Sequence, residues 1–160
     1  MLNHLSKILG TFFYTGFFPF APATFATLVF ILAYALIPGG EVLAHPVVLL
    51  VTVIVSVPVA TQVEKRYGTD ARCIVIDEVV GTQIALTLAE PTTFGLVAAF
   101  VLFRFFDIVK PFPAGRSQRL PRGYGVVADD VIAGLYTRLT LIVLSLVAPG
   151  TAGMFWARGA

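Results

Sequence analysis

Five apolar segments, at about residues 23–37, 46–63, 79–89, 94–103 and 131–147, take up much of this 160-residue chain and hold one charged side chain between them, Arg138. Charged residues are 12% of the whole and the mean hydropathy is +0.90. A water-soluble domain carries about 25% charged residues, so the pattern predicts an integral membrane protein. Strands are excluded by physics: an open sheet edge cannot face lipid, and a barrel needs many alternating strands. The expected fold is therefore all-α, a multihelical integral membrane bundle with about four or five membrane-embedded helices. No linker or composition shift divides it, so residues 1–160 are expected to form a single domain.

A clean span needs ~20 residues. The second segment is the best candidate, and the fifth is nearly as good. The third and fourth are short enough to be half-inserted, tilted or buried within the bundle. Pro38-Gly39-Gly40, Glu90-Pro91, Pro111-Phe112-Pro113 and Pro121-Arg122-Gly123 mark connections between helices. The start of the chain has polar and proline interruptions that do not suit a cleavable signal, so the mature protein is expected to keep it.

If all five segments cross, nine of the eleven basic residues lie on one side, which the positive-inside rule makes cytoplasmic. Seven of the nine acids fall there too. The net charge of +2 is too small, and basic runs too few, to argue for nucleic acid. Cys73 is the only cysteine, which excludes an intrachain disulfide and a cysteine-based zinc site.

Five acids sit in three motifs at the ends of apolar segments, where an unpaired charge is costly. In Asp70-Ala-Arg72-Cys-Ile-Val-Ile-Asp77-Glu78-Val-Val-Gly81 the pair Asp77-Glu78 precedes an apolar helix; alone it reads first as a solvated helix start. Gly81 permits close approach of a backbone or ligand. In Phe103-Arg104-Phe-Phe-Asp107-Ile-Val-Lys110-Pro111 the charged residues share one side of a helix. They suit phosphate and metal binding, or a structural ion-pair ladder. Asp129-Asp130, before Val-Ile-Ala133-Gly134, read as a helix mouth needing a cation, or as an acidic cap with a packing notch. Hard oxygen donors of this kind favour Mg2+ or Mn2+ over zinc. Thr24, in Pro22-Ala23-Thr24-Phe25-Ala26-Thr27, is a plausible N-cap whose neighbourhood also suits phosphate.

Other phosphatase chemistries lack their residues. His4 and His45 stand in unrelated contexts, Cys73 has no downstream phosphate-steadying Arg, and no Asp-x-Asp pair occurs. Metal-activated water is the simplest nucleophile left.

Taken in order, these motifs resemble the phosphatidylglycerophosphatase A family over about residues 16–134. The resemblance implies a multihelical, Mg2+-dependent enzyme of the bacterial cytoplasmic (inner) membrane, with Mn2+ a potential substitute. It implies removal of the terminal phosphate of phosphatidylglycerophosphate, embedded in the bilayer, to give phosphatidylglycerol. On this reading Asp77, Glu78, Asp107, Asp129 and Asp130 are the expected metal ligands, and Asp77, Glu78, Asp129 and Asp130 the catalytic carboxylates. Arg104, Lys110, Thr24 and Thr27 are expected to bind substrate. Five carboxylates exceed the charge of one Mg2+, which leaves room for two ions or a protonated acid-base group.

One departure stands out: the family's first motif reads Pro-Gly-Thr-x-Gly-Ser/Thr, and here both glycines are alanine, Ala23 and Ala26. If that turn needs positive φ, alanine strains it; if it needs only clearance, the change is mild. Arg138 lies outside the pattern and reads as a structural or interface residue. The alternative from another class is a small ion-coupled membrane transporter or channel, which would distribute its acids through the membrane depth.

Overall fold

The computed structural model describes residues 4–88, 90–147 and 152–156, and the regular elements among them are helices. In chain order they are α1 (His4–Gly10), α2 (Pro22–Leu36), α3 (Pro46–Tyr67), α4 (Ile76–Leu86), α5 (Thr93–Val109), α6 (Ala114–Ser117), α7 (Gly123–Val147) and α8 (Ala152–Phe155). Short 3-10 turns at Thr15–Phe17 and Gly40–Ala44 join the first three. Each of the five apolar segments thus becomes one of the longer helices.

Local chemistry explains most of the boundaries. α2 and α3 open on Pro22 and Pro46, whose fixed φ suits a first helical turn and whose missing N–H has no partner to lose there. Thr92 caps α5, its hydroxyl accepting from Gly95 N–H at 3.1 Å. α5 stops where Lys110 turns left-handed before Pro111. Three boundaries differ from expectation. Thr24 is the third residue of α2 and not its cap, a position taken by Ala21 at φ 44°. Lys110 lies just past α5 instead of continuing its face. α7 begins at Gly123, so Asp129 and Asp130 sit in its second turn and not at its mouth.

Gly123 falls in a predicted connection, but its lack of a side chain serves packing. A Cβ on Gly123 would run into Val57 and Thr61 of α3, and Gly123 N–H donates to the Thr61 hydroxyl at 3.1 Å.

The central element is α4, which is buried along nearly its whole length and packs most extensively on α7. Its 11 residues rise only ~16 Å. Gly134 of α7 lies directly on the Gly81 carbonyl of α4, and Gly81 faces the Asp130 carbonyl and the Phe103 ring. Small residues therefore let the two backbones touch. The far end of α4 is tied to the α2–α3 connection, Gln83 Nε2 donating to Leu43 O and Thr87 Oγ1 to Ala44 O, both at 2.7 Å.

Polar side chains lie inside alongside an apolar core, and large apolar ones lie on the surface. Thr27, Ser56, Thr82, Gln83 and Thr137 are buried, whereas Leu32, Leu50, Ile54, Val101, Leu139 and Val143 are exposed. α3 and α7 are long and apolar enough to cross a membrane, and only 22% and 28% of their apolar windows are buried inside the protein. A soluble core helix would be mostly buried. Outward-facing apolar surface on this scale marks membrane association.

The glycine contact yields a direct expectation. Gly134→Val should push α4 and α7 apart and destabilise the fold by about 1–3 kcal/mol, read as a lower unfolding temperature in detergent. An unchanged unfolding temperature would contradict the close α4–α7 packing.

Candidate active site

Three helix ends meet at the end of the bundle away from Thr87. α4 brings Asp77 and Glu78 in its first turn, α5 brings Arg104 and Asp107 in its last turns, and α7 brings Asp129 and Asp130. Lys110 joins them because its left-handed conformation turns the chain back across the site. Together with the start of α2 and the loop before α4, these residues line a cleft of about 380 Å³.

The charges form a chain. Arg104 Nη1 donates to Glu78 Oε2 at 2.6 Å, and its Nη2 lies 3.1 Å from Asp107 Oδ2. Lys110 Nζ lies 3.7 Å from Asp107 Oδ1 and donates to Asp129 Oδ2. Asp77 and Asp130 make no ion pair among the described residues, although they are only 9% and 2% exposed, and Asp130 lies against Asp107 and Glu78. Among the described residues, Asp77 Oδ1, Asp129 Oδ1 and Asp130 Oδ2 accept no hydrogen bond, and Arg104 Nε finds no acceptor.

Five carboxylates thus face two cations in a poorly solvated place. Burial, with the charges of Glu78 and Asp129 adding to it, holds the Asp77 carboxyl well above the usual range. Burial also pushes Glu78 up to about 7, against the pull of Arg104 and with a further push from Asp107. Burial lowers Lys110, but its hydrogen bond to Asp129 and the charges of Asp129 and Asp107 outweigh that and raise it overall.

Orphaned carboxylate oxygens in such a setting fit a divalent cation. Glu78, Asp107 and Asp130 each offer one oxygen, all within 4.8 Å of one another. An all-oxygen donor set of this kind suits a hard ion; Glu78 and Asp107 already share Arg104, and Asp130 is the member of the three with no ion pair among the described residues.

The remaining expected site residues separate. Thr24 lines the cleft, and its hydroxyl makes no hydrogen bond to the described residues. Thr27 is fully buried, donates to the Ala23 carbonyl at 3.0 Å, and does not line the cleft. Ala23 and Ala26 have ordinary helical φ; the positive φ of this region falls at Ala21. The two alanines therefore impose no backbone strain, and Ala26 is fully buried. Arg138 stands apart from the cleft, donating to Leu88 O at 3.0 Å and lying 4.9 Å from the Trp156 ring centroid. Asp70 and Arg72 also line the cleft, although sequence reasoning did not single them out as site residues.

Fold and site together define a membrane-associated helical protein with a carboxylate-lined centre at one end. Its kinship is specific. The profile of the family described as Phosphatidylglycerophosphatase A matches residues 8–145. A Bacteroides thetaiotaomicron protein named "Putative phosphatidylinositol-3-phosphatase" is 37% identical over 150 residues, covering 88% of this chain and 94% of its own length. An Escherichia coli phosphatidylglycerophosphatase A is 30% identical over 131 residues, 80% of this chain and 76% of that protein. The Haemophilus influenzae phosphatidylglycerophosphatase A is 40% identical over 77 residues, 47% of each chain. No solved structure matches. The chain belongs to the phosphatidylglycerophosphatase A family and is a phosphoric monoester hydrolase.

Arg104 is the cation on which two of the acids depend. Arg104→Met should leave Glu78 and Asp107 without their shared partner and cost about 3–5 kcal/mol of stability, measured by denaturation in detergent without divalent ions. Wild-type stability in that variant would contradict the ion-pair chain.

Proposed function

We propose that the protein removes the terminal phosphate of phosphatidylglycerophosphate, giving phosphatidylglycerol and inorganic phosphate, in a Mg2+-dependent reaction at the cytoplasmic face of a bacterial inner membrane. The observation that carries this reading is the cleft in which five carboxylates, four of them buried, outnumber Arg104 and Lys110 and three carboxylate oxygens find no hydrogen bond among the described residues.

Glu78, Asp107 and Asp130 are the ligands best grouped for one Mg2+ or Mn2+, with Asp77 and Asp129 at hand for a second ion or for proton transfer. A divalent ion held there supplies positive charge to the phosphoryl oxygens and acidifies water. Arg104 and Lys110 orient the phosphoryl group and offset charge that develops on it, Arg104 through its unmatched Nε–H. Thr24 contributes a hydroxyl from the side of α2. The raised affinity of Asp77 for a proton suits a carboxylate that takes a proton from water and returns it to the leaving alkoxide. Thr27 supports this wall through Ala23 and not by touching substrate.

The membrane arrangement follows the same logic. α2, α3, α5 and α7 are embedded in the bilayer with α4 enclosed among them. The connections at residues 38–45, 87–88 and 90–92, the first joined to α4 through Gln83 and Thr87, lie on the far side. The lipid then enters the cleft from the headgroup layer on the side rich in Lys and Arg. A transporter reading has no support: the acids gather in one cleft instead of marking a path through the bundle.

A second substrate has a specific claim. The Bacteroides relative, similar along 94% of its length, carries a phosphatidylinositol-3-phosphatase name. Phosphatidylinositol 3-phosphate likewise presents a phosphomonoester beyond a phosphodiester.

Purified protein in mixed micelles should release phosphate from phosphatidylglycerophosphate faster than from phosphatidylinositol 3-phosphate, and chelation should stop it. Asp77→Asn and Asp130→Asn should each lower kcat by about 10²–10⁴-fold while preserving the helical circular dichroism spectrum. Faster turnover of the inositol lipid would reassign the substrate. A folded protein that releases phosphate from neither would remove the proposal, and near-normal turnover in both variants would remove the site assignment.

A further inference from the structure

Arg72 differs from the other cations of the cleft. Arg104 and Lys110 are each held by two carboxylates, whereas Arg72 lines the same cleft, is exposed, and makes no ion pair among the described residues. Asp70 lines the same rim but is not within ion-pair distance of it. The guanidinium is therefore an unmatched positive charge at the mouth of an anionic cleft.

The loop that carries it is pinned. Val75 N–H donates to Gly10 O at 2.9 Å, Ile74 N–H to Ala71 O at 2.8 Å, and Asp70 N–H to Glu64 Oε1 at 3.1 Å. Gly16 lies so close on the Cys73 carbonyl that a Cβ there would overlap it. The backbone on either side of Arg72 is thus fixed, while its side chain is left free for a ligand. The start of α2 lines the cleft too and lacks a side-chain cap, so the rim offers donors while the floor offers acceptors.

That polarity matches a ligand with two anionic groups. A terminal phosphomonoester belongs at the carboxylate floor, where a divalent ion can mediate. A second phosphate closer to the lipid tails needs a cation that no carboxylate already holds, and Arg suits phosphate through paired N–H donors. Phosphatidylglycerophosphate and phosphatidylinositol 3-phosphate both carry such an inner phosphodiester; phosphatidic acid does not.

We infer that Arg72 binds the phosphodiester of lipids bearing both a diester and a terminal monoester, and so sets their preference over phosphatidic acid. The inference rests on the lipid-phosphatase reading above.

The test is steady-state kinetics of wild type, Arg72→Gln and Arg72→Lys in mixed micelles with Mg2+. One lipid is the better of the two diester-containing substrates; the other is phosphatidic acid, used as a competitive inhibitor if it is not turned over. Loss of one charge-assisted contact should raise KM for the diester-containing lipid about tenfold in Arg72→Gln, with kcat within about threefold. Arg72→Lys should recover most of the difference, and the change for phosphatidic acid should be only about twofold. An unchanged KM, equal losses on both lipids, or a fall in kcat that lysine does not rescue would overturn the role of Arg72. A wild type inactive on both diester-containing lipids would instead remove the lipid-phosphatase reading, and this inference with it.

Discussion

Five carboxylates gather around Arg104 and Lys110 in one cleft, with Arg72 exposed at its rim, and much of the structure is arranged around that concentration of charge. Glu78, Asp107 and Asp129 are partly offset by Arg104 and Lys110. Asp77 and Asp130 make no ion pair among the described residues, and both are buried. Leaving a carboxylate desolvated and unpaired costs several kcal/mol, so a fold that gathers these acids must either keep protons on them or present them to a cation. Three donors with oxygens within 4.8 Å of one another favour the second outcome once a divalent ion is available.

What brings the acids together is the contact between α4 and α7. Gly81 and Gly134 let the two backbones meet, and the same meeting sets Asp77 and Glu78 beside Asp129 and Asp130. α5 then closes the third side, with Phe103 packed against Gly81 and Arg104 reaching Glu78. Outside this core the helices turn Leu, Ile and Val outward. The apolar exterior and the polar cleft are two consequences of one arrangement, in which a short buried helix is surrounded by longer ones whose apolar faces are exposed.

Much of this was legible in the residues. Acids at the edges of apolar segments are rare because they are costly, so Asp77-Glu78, Asp107 and Asp129-Asp130 stand out before any coordinates. The five long helices follow from the apolar segments themselves. Boundaries were less legible. Gly123 falls in a predicted connection, yet α7 begins on it because packing on α3 requires its small size; tertiary contact overrides local propensity. Thr24 has the chemistry of an N-cap, but Pro22 at the first helical position moves the cap to Ala21. Arg72 was not recognisable, since an arginine in a loop is ordinary until the fold shows it on the cleft rim without a partner. Lys110 was expected in the site for the wrong local reason: it arrives by a left-handed turn after the helix, not on the helix face.

The central claim, that the carboxylate cluster holds a divalent cation, is tested most directly by calorimetric titration of Mg2+ or Mn2+ into the purified protein at several pH values. Without metal, burial holds Glu78 at about 7, above its ordinary value of 4.5, and Asp77 is raised as well. A ligand carboxylate must lose its proton to bind metal. Affinity should therefore increase from pH 6 to pH 8, by up to about tenfold per pH unit for each proton displaced, with proton release visible as a dependence on buffer ionisation enthalpy. Absence of divalent-ion binding, or binding that is equally tight across that range and releases no protons, would contradict the account.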